Sequence, residues 1–210
     1  MEIEIFSDVI CPWCFIGKQR LDRALPGDVG EGITLRWRPY QLFPGLPAEG
    51  LDRGEYLRRR YGEDADSTRA PRRITEEAEG EGLTLRYDLI QRLPNTLLAH
   101  RLLEYAYVEG VQHRLSEILF QAYFCAGEDV GEADTLARLG ARAGLDADAV
   151  ANMLASDAYA QEVAEQLARA PEVGVSGVPG YLLAGGFLLP GAQSTETMAQ
   201  IITRAKLRLG

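Results

Sequence analysis

Strand-like patterning is confined to the two ends of this 210-residue chain, and that placement limits the folds open to it. Ile3 and Ile5 alternate with Glu2 and Glu4, and Phe6 follows, so residues 2–6 read as a short strand. From Pro12 the period changes. Cys14, Gly17, Leu21 and Leu25 fall three or four apart and share one face of a helix. Gly30 and Gly32 punctuate the chain before Ile33, Leu35 and Trp37 alternate in a second strand. A β-α-β unit of this kind normally makes two parallel strands with a right-handed crossover. Near the other end, Tyr181-Leu182-Leu183 and Phe187-Leu188-Leu189 flank Gly185-Gly186, the signal of a two-residue hairpin turn. Met198, Ile201, Ile202 and Ala205 then form one apolar stripe on a final helix that starts near Ser194.

The middle of the chain is different. Residues 39–52 are rich in Pro and Gly and read as a connection, after which helical periodicity dominates for about a hundred residues. Leu98, Leu102 and Tyr105 line one helix that begins near Pro94-Asn95-Thr96; Leu115, Ile118, Leu119 and Ala122 line the next. Asp146 is placed to cap a helix over 147–154, and Ser156 to cap the one that bears Val163 and Leu167. Gly174 is placed to end that helix as its left-handed C′ residue. No internal repeat is present. The order β-α-β, helical block, β-β-α predicts one small α/β unit whose two halves are separated by a helical insertion.

Charge and cysteine count narrow the chemistry. A formal net charge of -9 argues against a sequence-independent grip on phosphate backbones, and the Arg58-Arg59-Arg60 run reads as a solvated helix face. The N-terminus lacks a basic, apolar leader pattern, and no stretch approaches the roughly 18 consecutive apolar residues of a membrane span. A cytoplasmic location is therefore expected. Three cysteines do not make a structural disulfide framework, and in a reducing compartment a close pair reads as catalytic or metal-binding.

That pair is Cys11-Pro12-Trp13-Cys14, at the junction of the first strand and the first helix. Pro is favoured in a first helical turn because its missing N–H costs nothing there. A thiolate at Cys11 would face the free N–H groups and positive end of the helix dipole, both of which favour the ionised thiol. The thiolate is the species that attacks disulfides. Cys14, one turn later on the apolar face, is then the resolving thiol. Zinc is the rival, but it usually takes four ligands. The remaining donors, Cys125, His100 and His113, include no second close pair, so no metal is expected. A purely structural Cys pair is the weakest reading, since cytosolic disulfides rarely persist. Val178-Pro179, just before the strand at 181–183, reads from its residues alone as a trans proline at a strand start.

Several ordered segments resemble the DsbA family, in particular its FrnE-like branch. They are Ser7-Asp8-Val9-Ile10-Cys11-Pro12-Trp13-Cys14-Phe15-Ile16-Gly17-Lys18, Leu35-Arg36-Trp37-Arg38-Pro39-Tyr40-Gln41-Leu42, Pro94-Asn95-Thr96 with His100-Arg101-Leu102, Gly174-Val175-Ser176-Gly177-Val178-Pro179, and Gly191-Ala192-Gln193. The resemblance implies a thioredoxin-like fold interrupted by an all-α domain. On that reading residues 1–40 and 171–210 form the thioredoxin-like domain, and 41–170 the insertion. Its last helix, at about 156–170, leads back to the sheet. The resemblance also implies a cis Val178-Pro179 bond beside Cys11, with the Val178 backbone pairing to an extended substrate segment. Pro12, Trp13, Val178 and Pro179 are thus expected substrate-binding neighbours of Cys11 and Cys14.

The expected activity is thiol–disulfide exchange with protein or peptide substrates. It needs no cofactor beyond the redox-active disulfide, and glutathione is admitted as a co-substrate. Two other readings stand beside it. The 2-hydroxychromene-2-carboxylate isomerases and kappa-class glutathione transferases resemble the chain in overall order, but typically carry Ser where Cys11 stands and lack the resolving Cys. A non-catalytic holdase is the third. Cys125 reads as a half-buried hydrophobe, and His100 and His113 as packing or surface residues. Asp8 is expected either to tune the thiol or to cap the helix start.

Overall fold

Residues 1–208 are described by a computed structural model of the chain. The first strand, β1 (Glu2–Ser7), alternates as its sequence suggests: Ile3 and Ile5 are buried on one face, and on the other Phe6 is buried and Glu4 half-buried. The helix α1 (Pro12–Ala24) follows, and Gly32, in the left-handed region, precedes β2 (Thr34–Pro39). β2 pairs with β1 in parallel, Ile5 opposite Trp37. A minor pair, β3 (Leu51–Asp52) with β4 (Arg92–Leu93), brackets the short helices α2 (Arg53–Tyr61) and α3 (Arg72–Gly80). This pair is too short to leave a period in sequence.

Five helices complete the middle: α4 (Leu97–Val108), α5 (Gln112–Ala126), α6 (Ala133–Ala143), α7 (Ala147–Ala155) and α8 (Ala160–Glu172). Asp146 caps α7 as its sequence predicts, accepting a hydrogen bond from the Ala149 N–H at 2.8 Å. Ser156 does not cap α8. It ends α7, its hydroxyl donating to the Met153 carbonyl, and α8 starts only after Tyr159, which holds a left-handed φ of 61°. Three more residues, Asp157 to Tyr159, are needed to turn the chain, and the buried Arg101 secures that turn by donating to the carbonyls of Met153, Ser156 and Ala158.

The sheet closes with β5 (Gly180–Leu183), antiparallel to β1, and β6 (Phe187–Pro190), antiparallel to β5, in the order β2-β1-β5-β6. The β5–β6 connection has three residues, not two: Ala184 joins Gly185 and Gly186, and both glycines have positive φ. Ser194 then caps α9 (Thr195–Leu207), accepting from the Thr197 N–H.

Opposite faces of the sheet carry separate apolar clusters. Ile3, Ile5, Trp37, Tyr181 and Leu183 face α1, α5 and α9, in a core that runs on without a break into α4, α6 and α7. Phe6 and Leu182 face the other way, against Ala170 of α8 and Val175. Phe15 of α1 stacks on Phe120 and Phe124 of α5, with centroids 5.3 and 6.0 Å apart. Fully burying an aromatic of this size stabilises by roughly 1.5–3 kcal/mol. This contact fixes the active-site helix against the helical middle.

Candidate active site

The two cysteines are brought together by the strand-to-helix turn. The Cys11 N–H donates to the Asp8 carbonyl at 3.0 Å, which tightens the turn, and Cys11 is the N-cap residue of α1 with Pro12 at its first position. Its carbonyl accepts from the Cys14 N–H at 3.0 Å, so the helix holds the second thiol one turn along from the first. Both are free, 3.3 Å apart, and buried, Cys11 at 3% and Cys14 at 1% exposure. Pro12 and Trp13 between them are half-buried, and the Arg73 guanidinium of α3 lies 5.4 Å from the centre of the Trp13 ring.

From the far end of the chain, the loop before β5 arrives on the other side of Cys11. The Val178–Pro179 peptide bond is cis, and the Cys11 Sγ lies 3.8 Å from the Val178 carbonyl oxygen, within hydrogen-bonding range for a thiol. Pro179 and Tyr181 press against α1 at Gly17. A methyl group on Gly17 would sit 3.2 Å from Pro179 Cγ, 3.4 Å from Ala192 Cβ, and well inside contact distance of the Tyr181 hydroxyl. Glycine at this position is what lets the loop and the helix close together.

The second thiol is electrostatically distinct. Burial, then the hydrogen bond to Cys11 and the charge that sulfur carries when ionised, push the Cys14 thiol well above its ordinary range. Ser7 and the Asp8 backbone N–H face its sulfur and act the other way, without prevailing. Burial likewise keeps the Tyr181 hydroxyl protonated, and the charges it feels most after that are those of Cys14 and Cys11. Tyr87 is also raised, to about 12, by burial; the Arg53 guanidinium, 5.0 Å above its ring, acts the other way and a charge on Cys11 adds to the rise. Among the described residues no three His, Cys, Asp or Glu side chains converge as a metal site.

A profile described as the DSBA-like thioredoxin domain matches residues 2–203. The chain belongs to that family. A probable DsbA oxidoreductase from Streptomyces coelicolor is 31% identical, with a TM-score of 0.86 over 98% of this chain and 90% of that one. The fold is shared with the cytosolic disulfide reductase DsbM of Pseudomonas aeruginosa, at 17% identity and a TM-score of 0.71 over the whole of both chains. DsbM is also known in a structure with glutathione. A 2-hydroxychromene-2-carboxylate isomerase shares the fold too, at 19% identity and a TM-score of 0.69 over 100% of this chain and 96% of that one.

In this DsbA-like chain, Cys11, Pro12, Trp13, Cys14, Val178 and Pro179 thus meet in one place, although Cys11 and Val178 are 167 positions apart in sequence. Asp8 does not cap the helix. Its Oδ2 accepts from the Leu42 N–H at 2.8 Å, pinning the connection after β2, while its Oδ1 lies 3.5 Å from His100 Nε2. His100 is buried, its Nε2 3.0 Å from the Tyr40 carbonyl, so it links α4 to the loop beneath the cysteines. His113 lies elsewhere. It accepts from Trp37 Nε1 at 3.1 Å through Nδ1, and its Nε2 meets Asp22 at 2.9 Å, away from the pair. Cys125 is half-buried on α5, in a shallow groove with Phe15, Arg86 and Gln121.

Ser7 and Tyr181 were hidden from sequence reasoning. Tyr181 reads as an ordinary strand residue, and only the β1–β5 register, with Ile5 opposite it, sets it on the α1 face of the sheet; Ser7, the last residue of β1, faces the Cys14 sulfur. A serine in the run from Ile5 to Ile10, otherwise apolar apart from Asp8, was the one available signal.

Proposed function

We propose that this DsbA-like chain exchanges dithiols and disulfides with protein or peptide substrates through Cys11 and Cys14. The observation that carries the reading is the juxtaposition of an N-capping Cys11 with the Val178 carbonyl, 3.8 Å from its sulfur. Cys11 attacks, because it stands at the helix start where a thiolate meets the positive end of the dipole. Cys14, held as a thiol by its burial, stays a hydrogen-bond donor to Cys11 until a mixed disulfide forms, and then resolves it. Val178, half-buried with its backbone beside Cys11, offers an extended substrate segment a place to pair, with Pro12, Trp13 and Pro179 as the walls.

In a compartment poised near glutathione potentials the pair rests reduced, which favours reductase or isomerase work over net oxidation. Glutathione fits as the reductant that returns the oxidised pair to the dithiol. The isomerase reading has only a shared fold behind it. Reduction of insulin disulfides by dithiothreitol, followed by turbidity, tests the proposal: Cys11→Ser is expected to bring the rate down to the uncatalysed background. A variant that kept the wild-type rate would sink it.

A further inference from the structure

Five buried side-chain polar atoms among the described residues lack a hydrogen bond of good geometry, and three of them belong to the cysteine site: Ser7 Oγ, Asp8 Oδ1 and Tyr181 Oη. Such atoms are uncommon in folded proteins, because each forfeits its solvation without recovering a partner. Two of the three are hydroxyls, able to donate. Ser7 ends β1 facing the Cys14 sulfur. Tyr181, at 2% exposure, projects from β5 into the space left by Gly17, one helical turn from Cys14 on the same face of α1. A thiol makes a poor acceptor for either, whereas a thiolate is a strong one.

We propose that the Ser7 and Tyr181 hydroxyls are a donor pair held in reserve for the Cys14 thiolate, unpartnered in the dithiol and engaged only while Cys14 carries charge. This rests on the exchange reading above and assigns its second step. Cys11 thiolate attacks a substrate disulfide R–S–S–R′; R–S⁻ leaves, and Cys11 is joined to R′. Cys14 loses its proton to water or to the departing thiolate. Its sulfur then attacks Cys11 Sγ, the Cys11–Cys14 bond forms, and R′–S⁻ leaves, so two electrons pass from the dithiol to the substrate. In a site this closed to water, the Cys14 anion would otherwise have little beyond the Asp8 N–H to replace its solvation. The two hydroxyls replace that solvation at the moment it is needed, in the manner of donors aimed at a developing charge.

Stopped-flow oxidation of the reduced full-length chain by 5,5′-dithiobis(2-nitrobenzoate) separates the steps, since each releases one coloured thiolate. With Cys125→Ala as the parent protein, so that the half-buried third thiol adds no colour, two equivalents are expected in two phases. In Tyr181→Phe and in Ser7→Ala the second phase should slow by roughly ten- to hundredfold, the size of one hydrogen bond to a charged group. Ser7→Thr should restore it. The urea midpoint of Tyr181→Phe should stay level or rise, because the hydroxyl it removes has no partner in the dithiol. A second phase at the parent's rate in both variants would overturn the proposal. So would a fall in the urea midpoint with both phases slowed alike, which is the mark of a packing role. A Cys125→Ala parent that released only one equivalent would instead bring down the exchange reading itself.

Discussion

The two ends of β1 treat buried polar groups in opposite ways. Near its start, Glu4 lies on the α8 face of the sheet, and both carboxylate oxygens are engaged. Arg169 of α8 donates to each at 2.7 and 2.8 Å, and Arg38 of β2 adds a further bond. Burial alone would raise this carboxyl, but the two guanidinia outweigh it and hold Glu4 below the ordinary range. Three residues on, Ser7 has an unpartnered hydroxyl, and the next residue, Asp8, keeps one carboxylate oxygen unbonded 3.5 Å from His100. One end is saturated and ties three elements together. The other is left short of partners, and it is the end that carries the cysteines. Structure and chemistry divide a single six-residue strand between them.

Breaking the saturated end should have the largest effect on stability. Glu4→Gln keeps the shape but removes the charge opposite Arg38, whose side chain is only 13% exposed and keeps just its bond to Gln166 and a neutral acceptor, so a loss of about 2–3 kcal/mol is expected. Arg169, at 36% exposure, relaxes into water and contributes less. The acid limb of the stability curve gives a second reading. A carboxyl whose folded pKa is depressed contributes stability above its unfolded value of about 4.3, and that contribution is lost as pH falls through the folded value. Urea unfolding of wild type should therefore weaken more steeply below about pH 4 than that of Glu4→Gln. Parallel acid limbs would mean that the ion pairs do not hold α8 to the sheet.

At the other end the expected loss is smaller and conditional. Gly17→Ala improves helix propensity by about 1 kcal/mol, but drives a methyl group into the Tyr181 hydroxyl, for a net loss of about 2 kcal/mol. In a Tyr181→Phe background the colliding atom is gone, and only ordinary crowding against Pro179 and Ala192 remains. The loss should then vanish or turn into a gain, giving a coupling of about 2 kcal/mol in a double-mutant cycle. Independent, additive effects would show that the hydroxyl does not occupy the glycine gap.

This contrast also marks what the sequence could and could not disclose. Ile3, Ile5 and Trp37 announce a parallel pair through their alternation, and Cys11-Pro12-Trp13-Cys14 announces a strand-to-helix site through proline and spacing. Both signals are local, and so they are readable. The surroundings of the pair are not, because Tyr181 comes to lie against α1 at Gly17 only through β5 pairing antiparallel to β1, and His100 reaches Asp8 only through the packing of α4. Ser156 failed as a predicted cap for a related reason: cap chemistry shows that an end is near, but Arg101, 55 residues away, fixes how the chain turns there. The turn at Gly185-Gly186 was legible in kind, while its length depended on the pairing of Leu183 with Phe187.

The smallest effect is the most direct measure of how the unsaturated end handles charge. Cys14 is held protonated by burial and by Cys11, so its folded pKa stands above the value of about 8.5 in an unfolded chain. Below that unfolded value both states bind the proton, and the group's contribution to stability is complete. As pH rises past it, the unfolded chain ionises first and the folded one resists, so the contribution drains away until the folded value is passed. The slope reaches about 1.4 kcal/mol per pH unit for one proton. Buried tyrosines such as Tyr123 and Tyr181 add slopes of the same sign further up the scale, since burial raises them too. Comparing reduced wild type with reduced Cys14→Ala cancels those shared terms. Between about pH 8.5 and 10 the wild type should lose stability faster, by an amount that grows to about 1.5 kcal/mol. If the curves run parallel, the folded site solvates the Cys14 thiolate as well as water does. The two hydroxyls would then already be engaged before any substrate arrives.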